Sequence, residues 1–253
     1  MALTVDDPAR RRGRYGTDGG AEAIIGLAVI VVVPLSIGLA LLLVGHTGWS
    51  ALPLAVTVLT LLVSIGYLYT TWEGKFRAWA DILRGLRLDG GERVLDMGCG
   101  RGAVLLLAAR LLPRGRAVGI DLWRARDQSG NRPDATQHNA EVEGVADRIE
   151  VHTGDMTAMP FEDGSFDLVV SSMAIHNIPG REGRTRAIDE AVRVLKPGGR
   201  LVIADLAHTG LYAARLRERG MQGVERRGVD PRFWLGIPGV MRLVTARKPD
   251  AGA

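Results

Sequence analysis

Two uncharged apolar runs, residues 23–44 and 51–71, open the chain. At ~1.5 Å per residue each would extend roughly 30 to 33 Å as a helix, against a hydrocarbon core of ~30 Å. Trp49, Tyr67, Tyr69 and Trp72 flank the second run, as aromatic side chains do at a headgroup layer. Arg10, Arg11, Arg12 and Arg14 precede the first run, Lys75 and Arg77 follow the second, and the link 45–50 carries no lysine or arginine. This asymmetry predicts a two-pass integral membrane hairpin over 23–72, with both termini and the remainder of the chain, 73–253, cytoplasmic at the cell membrane. Pro53 is expected in a first turn and Pro34 at a kink. A buried hairpin in a soluble protein is the competing reading; a cleaved signal peptide fits poorly, because a second long run follows the first. Residues 1–22 are predicted to be a disordered cytoplasmic N-terminus, because the stretch to about Gly20 is arginine-rich, aspartate-containing and glycine-ended.

Beyond the hairpin the periodicity changes. Phe76, Trp79, Ala80, Ile82, Leu83, Leu86 and Leu88 recur at helical spacing, an amphipathic helix that either packs across the first strand or walls a substrate entrance. Short apolar runs at 92–97, 117–120, 149–153, 166–171 and 200–204 read as strands, each ending in glycine or polar residues. Helices are predicted at 103–112, 133–143 and 211–219, and a closing strand pair at 223–227 and 241–247. The alternation is that of an α/β Rossmann-like fold, whose ligands bind beyond the strand ends. The first strand delivers Asp96 into Gly98-Cys99-Gly100-Arg101-Gly102. A fixed carboxylate there would repel a pyrophosphate and suits a ligand carrying positive charge, which points to S-adenosylmethionine.

The motifs VLDMGCGRG, Gly154-Asp155-Met156, SMAIHNI and Lys196-Pro197-Gly198-Gly199 are spaced as in class I S-adenosylmethionine-dependent methyltransferases. Residues 76–249 resemble that family, in particular its small-molecule, quinone-type C-methyltransferases. The resemblance implies a seven-stranded sheet with an antiparallel last strand and S-adenosylmethionine as methyl donor, with no metal. It also implies a donor site of Asp96, Gly98, Cys99 and Gly100 in the loop, Asp121 at the ribose hydroxyls, Leu122 or Trp123 over the adenine, Asp155 at its amino group, Met156 on its ring, and Ser172. His176 faces the acceptor in many relatives and is the candidate base, its alternative being a packing role. Asp205 and His208 form a second candidate pair, and His152 reads as structural. Gly98, Gly100 and Ala103 also satisfy a relaxed dinucleotide pattern, so an NAD(P)-dependent oxidoreductase is the runner-up; a non-catalytic donor-binding sensor or partner protein is the third reading.

Composition narrows the partners. The 253 residues carry a formal charge of +4 with arginines scattered rather than massed among aromatics, so no nucleic acid is expected. A single cysteine, Cys99, rules out an internal disulfide framework and reads as a small loop residue rather than a nucleophile. The stretch 124–132 reads as a solvated insert, with Arg124, Arg126 and Asp127 outside any catalytic set. Phe233, Trp234, Leu235 and Ile237 either pack on the sheet edge, line a lipophilic pocket or touch the membrane. With an anchor in the lipid bilayer, the expected acceptor is a small molecule or lipid.

Overall fold

The computed structural model describes residues 11–252, so the first ten residues of the predicted disordered terminus lie outside the described chain. Two helices, α1 (Gly20–Leu43) and α2 (Thr47–Tyr69), form an antiparallel hairpin. Both are long and apolar enough to cross a membrane, and only 6% and 11% of their most apolar stretches are buried within the chain. Large side chains such as Ile25, Leu52 and Leu59 point outward, whereas Gly38, Ser50, Thr57 and Ser64 are buried in the hairpin. Gly38 admits Leu54 so closely that a Cβ would stand 2.7 Å from it. The three hydroxyls donate back to carbonyls of their own helix, so the hairpin leaves no demand on them for water.

Two boundaries differ from expectation. The amides of Trp49 and Ser50 both donate to the His46 carbonyl, so α2 begins at Thr47 and Pro53 lies inside the helix rather than in its first turn. At its other end α2 does not stop. A π turn, Thr70–Gly74, leads directly into α3 (Lys75–Gly85), the predicted amphipathic helix. The widened turn receives the loop 229–241. Thr70 Oγ1 donates to Arg232 O and accepts from Leu235 N, each at 3.2 Å, and a Cβ on Gly74 would fall 1.8 Å from Arg232 O. The apolar helix and the wall of the α/β domain are therefore one continuous rod.

The sheet has the order β3-β2-β1-β4-β5-β7-β6. Its strands are β1 (Arg93–Met97), β2 (Arg116–Asp121), β3 (Ile149–Thr153), β4 (Phe166–Ser172), β5 (Leu195–Asp205), β6 (Gln222–Gly228) and β7 (Arg242–Arg247). All neighbours pair parallel except β7, which runs antiparallel to both β5 and β6. Burial alternates with strand period: Val94, Leu168 and Val170 enter one core, Leu95 and Val169 the other. The first core lies under α3, α4 (Ala103–Arg110) and α5 (Pro133–Val142); the second lies under α6 (Gly180–Val194) and α7 (Thr209–Glu218). The sequence reading missed α6, whose polar opening GREGRTR precedes its buried stripe of Ala187, Ile188, Ala191 and Val194.

Residues 11–19, expected to be disordered, lie along α5 and the 124–132 insert. Tyr15 is buried against Phe76 in an edge-to-face contact at 4.9 Å, and its hydroxyl donates to Glu143. Asn139 holds Arg14 through both of its backbone polar groups. Burial and this hydrogen bonding offset the ordering entropy that the polar composition alone would leave unmet.

Candidate functional site

The C-terminal ends of β1, β2, β4 and β5 open onto a cavity of about 410 Å³. Asp96, Gly98, Cys99, Gly100, Asp121, Leu122, Asp155, Met156, Ser172 and His176, drawn from four separate segments of the chain, all line it. Trp123 does not line it: its indole donates to Thr153 Oγ1, leaving Leu122 as the apolar side chain at that rim.

The glycine loop hangs on β2, because the amides of Gly98 and Cys99 both donate to Ile120 O. Gly98 takes φ +76°, and a Cβ there would collide with the Ala174 methyl at 2.2 Å. Cys99 packs on Gly119, and burial, followed by the nearby Asp96 and Asp121 charges, pushes its thiol well above its usual range. It is a space-filling side chain held protonated, not a nucleophile.

Asp96 is 2% exposed, and its Oδ1 has no hydrogen-bond partner among the described residues. Burial, and secondarily the Asp121 charge, push its carboxyl up to about 7. An unmet buried acceptor at a cavity wall is a place for a cationic donor group. Asp121 is better supplied: Oδ2 accepts from Gly100 N at 2.8 Å, while Oδ1 accepts from Trp123 N at 2.6 Å and Asn131 Nδ2 at 3.1 Å. Its remaining acceptor capacity sits on Oδ2, one lone pair rather than the two-oxygen grip expected for the ribose. Asp155 Oδ1 accepts from Thr157 N, and the Met156 methyl stands beside Gly98. Ser172 Oγ accepts the Trp79 indole proton at 2.9 Å, tying α3 to the end of β4.

His176 is oriented from behind. Its Nδ1 lies 2.6 Å from Asp205 Oδ1, and its amide donates to Asp205 Oδ2 at 3.1 Å. Asp205 is fully buried and also accepts from Leu206 N and the Tyr212 hydroxyl. Burial, then the Asp205 charge, raises the Tyr212 phenol far above its usual range, so it stays a donor. The carboxylate favours the tautomer with hydrogen on Nδ1, which leaves Nε2 as a proton acceptor. Asp205 thus pairs with His176 rather than His208, which is exposed at the start of α7 with φ +58°. No group of three or more His, Cys, Asp or Glu that could hold a metal occurs among the described residues.

Residues 95–203 match the model of a methyltransferase domain. The chain carries a class I S-adenosylmethionine-dependent methyltransferase domain. It is 32% identical over 135 residues to the ubiquinone/menaquinone biosynthesis C-methyltransferase UbiE of Ruegeria sp. (strain TM1040), covering 53% of this chain and 50% of that protein. It is 33% identical over 131 residues to a demethylmenaquinone methyltransferase of Lactiplantibacillus plantarum, covering 51% and 52%. The chain therefore spans about half the length of these relatives. A solved S-adenosylmethionine-dependent methyltransferase of Aquifex aeolicus shares the fold at TM-score 0.53 and 19% identity, over 66% of this chain and 87% of that one. These likenesses replace the nicotinamide reading. The residues present fit the donor: an unpartnered carboxylate, a loop in which glycines alternate with Cys99 and Arg101, and Asp121 with acceptor capacity to spare come together at one cavity.

Several lining residues escaped the sequence motifs. Lys75, Phe76 and Trp79 of α3 line the cavity together with Tyr67 of α2 and Leu235 of the 229–241 loop. Asn131 and Gln128 of the insert also reach it, so that stretch is not the solvated loop expected, and Arg124, Arg126 and Asp127 stand at the same wall. The helical period around Trp79 was visible, but its indole bond to Ser172 was not.

Proposed function

We propose that this protein is a membrane-anchored methyltransferase acting on a small lipophilic acceptor, with both termini and the α/β domain on the cytoplasmic side. The observation that carries the reading is the convergence, on one cavity, of an unpartnered buried Asp96, a His176 held by Asp205, and Tyr67 at the end of an apolar helix. When bound, S-adenosylmethionine supplies a methyl group already activated on a sulfonium. Asp96 holds the donor's ammonium group, Asp121 a ribose hydroxyl, and Leu122, Asp155 and Met156 the adenine. Most of the remaining task is alignment of an acceptor atom at near-attack distance. His176 accepts a proton from the acceptor at Nε2, and Asp205 stabilises the imidazolium that results.

A lipophilic acceptor is favoured by the apolar lining of Phe76, Trp79, Met173, Ile178 and Leu235 and by relatives named for quinone biosynthesis. Membrane anchoring is favoured by the outward-facing apolar surface of the hairpin and its small-residue seam. Both ends of the hairpin adjoin the α/β domain, Gly20 against Ala125 and Thr70 against Arg232, which agrees with the arginine asymmetry.

Incubating the full chain in bilayer discs with methyl-labelled donor and a membrane lipid extract should yield a labelled, organic-soluble product. Donor binding without any labelled product would instead favour a sensor. Extraction of the protein from membranes by alkaline carbonate would refute the anchor, as would labelling of a cysteine near Arg12 but not at Thr47 in intact cells.

A further inference from the structure

Resting on the donor reading above, we propose that residues 15–20 form a strap that closes the donor site, and that the Asp18–Lys75 pair latches it to the helix emerging from the hairpin. No methyltransferase motif includes this segment, yet Asp18 and Gly19 line the same cavity as Asp96 and the glycine loop. The strap is held from the insert side by short-range bonds. Gly19 N donates to Asp127 O at 2.8 Å, Ser129 N to Thr17 O at 3.0 Å, and Thr17 N to Ser129 Oγ at 2.7 Å. Gln128 joins strap to loop: its Nε2 donates to Tyr15 O at 3.0 Å while its Oε1 accepts from Arg101 N at 2.8 Å. Gly100 makes that approach possible, because a Cβ there would stand 2.3 Å from Gln128 Oε1.

The opposite edge is held by the rod. Lys75 Nζ donates to both Asp18 carboxylate oxygens at 2.8 Å, with the lysine side chain 5% exposed, and the Tyr67 hydroxyl donates to Asp18 O. A charge pair this well buried is specific in geometry, and removing one partner leaves the other unpaired. Apart from Tyr15, whose ring joins the core, the strap is held to the rest of the protein by hydrogen bonds and the Asp18–Lys75 pair, contacts that can open locally without unpacking the sheet. Exchange of donor for product then requires the strap to lift from Ser129 and the latch to part.

The test uses the full chain in detergent micelles with S-adenosylhomocysteine as probe. The Thr17 and Ser129 hydroxyl oxygens lie 3.0 Å apart, within reach of a disulfide after substitution of both by cysteine. The oxidised Thr17→Cys/Ser129→Cys protein should release bound probe at least tenfold more slowly than the same protein after dithiothreitol, and Asp18→Asn should release it severalfold faster than wild type. In unmodified protein, saturating probe should slow tryptic cleavage after Arg14 by about tenfold. Equal release rates with and without the disulfide, or cleavage indifferent to the probe, would overturn the strap while leaving donor binding intact. Failure of the wild-type protein to bind the probe at all would overturn the donor reading and the strap with it.

Discussion

Asp96 and Asp205 are both buried carboxylates at the C-terminal ends of parallel strands two positions apart in the sheet, yet they are supplied very differently. Asp205 receives donors from His176, Leu206 and Tyr212, so its charge is consumed inside the protein to fix a neighbouring side chain. Asp96 is left with an oxygen that nothing in the described chain reaches, and its carboxyl rises to about 7, first through burial and then through Asp121. A satisfied buried acid positions a residue; an unsatisfied one waits for a ligand. The two halves of the cavity should therefore fail in different observables when either acid or its partner is changed.

The largest expected effect is on rate. His176→Ala should lower single-turnover methyl transfer by roughly 10² to 10⁴, the range of general bases, while leaving donor affinity nearly unchanged. An unchanged rate in a normally folded variant would remove His176 from the mechanism. Asp205→Asn should cost rate by a smaller factor, and shift the pH profile, since an amide can present its donor to Nδ1 and favour the wrong tautomer. On the donor side, Asp121→Ala should weaken S-adenosylmethionine by about tenfold, toward the lower end of the ~1.5 to 3 kcal/mol for a bond involving a charged group, because only Oδ2 has capacity to spare. Calorimetry showing equal affinity would place the ribose elsewhere.

The smallest expected effect comes from pH. An acid with its carboxyl near 7 is mostly protonated at pH 6 and mostly ionised at pH 8. A ligand ammonium prefers the ionised form, so donor affinity should rise by up to roughly tenfold between those values. The stability consequence has the opposite sense. Because the folded-state value lies above the unfolded one, the contribution of Asp96 to stability is fullest below about pH 4 and is lost as pH rises through about 7.

That Asp96, the glycine loop, Asp121 and Asp155 would meet at one cavity was legible in the sequence, because the signal is local: a strand, an acid and glycines at fixed spacing leave few arrangements. The first five strands were legible for the same reason, each marked by a short apolar run ending in glycine or polar residues, whereas the polar, exposed β6 was expected only as part of the closing pair of a seven-stranded sheet. The surroundings of His176 were not legible. The partner of His176 lies 29 residues away and becomes its neighbour only because β4 and β5 pair in register. The continuity of α2 with α3 was hidden by Thr70, Thr71 and Gly74, which look like a break and instead form a π turn shaped to admit the 229–241 loop. Residues 11–19 were misread because arginine and glycine signal disorder by composition, whereas Tyr15, Asp18 and their partners Gln128 and Lys75 decide the matter by contact.

One variant tests the contrast between the two acids most directly. Asp96→Asn keeps the shape of the side chain and removes the charge that burial disfavours, so at pH 8 the ligand-free protein should melt at a higher temperature than wild type while S-adenosylmethionine binds at least tenfold more weakly. Melting and calorimetric affinity measured on the same preparation suffice. A variant that binds the donor as tightly as wild type, or that melts lower without it, would contradict the assignment of Asp96 as an acid held unsatisfied for a cationic ligand.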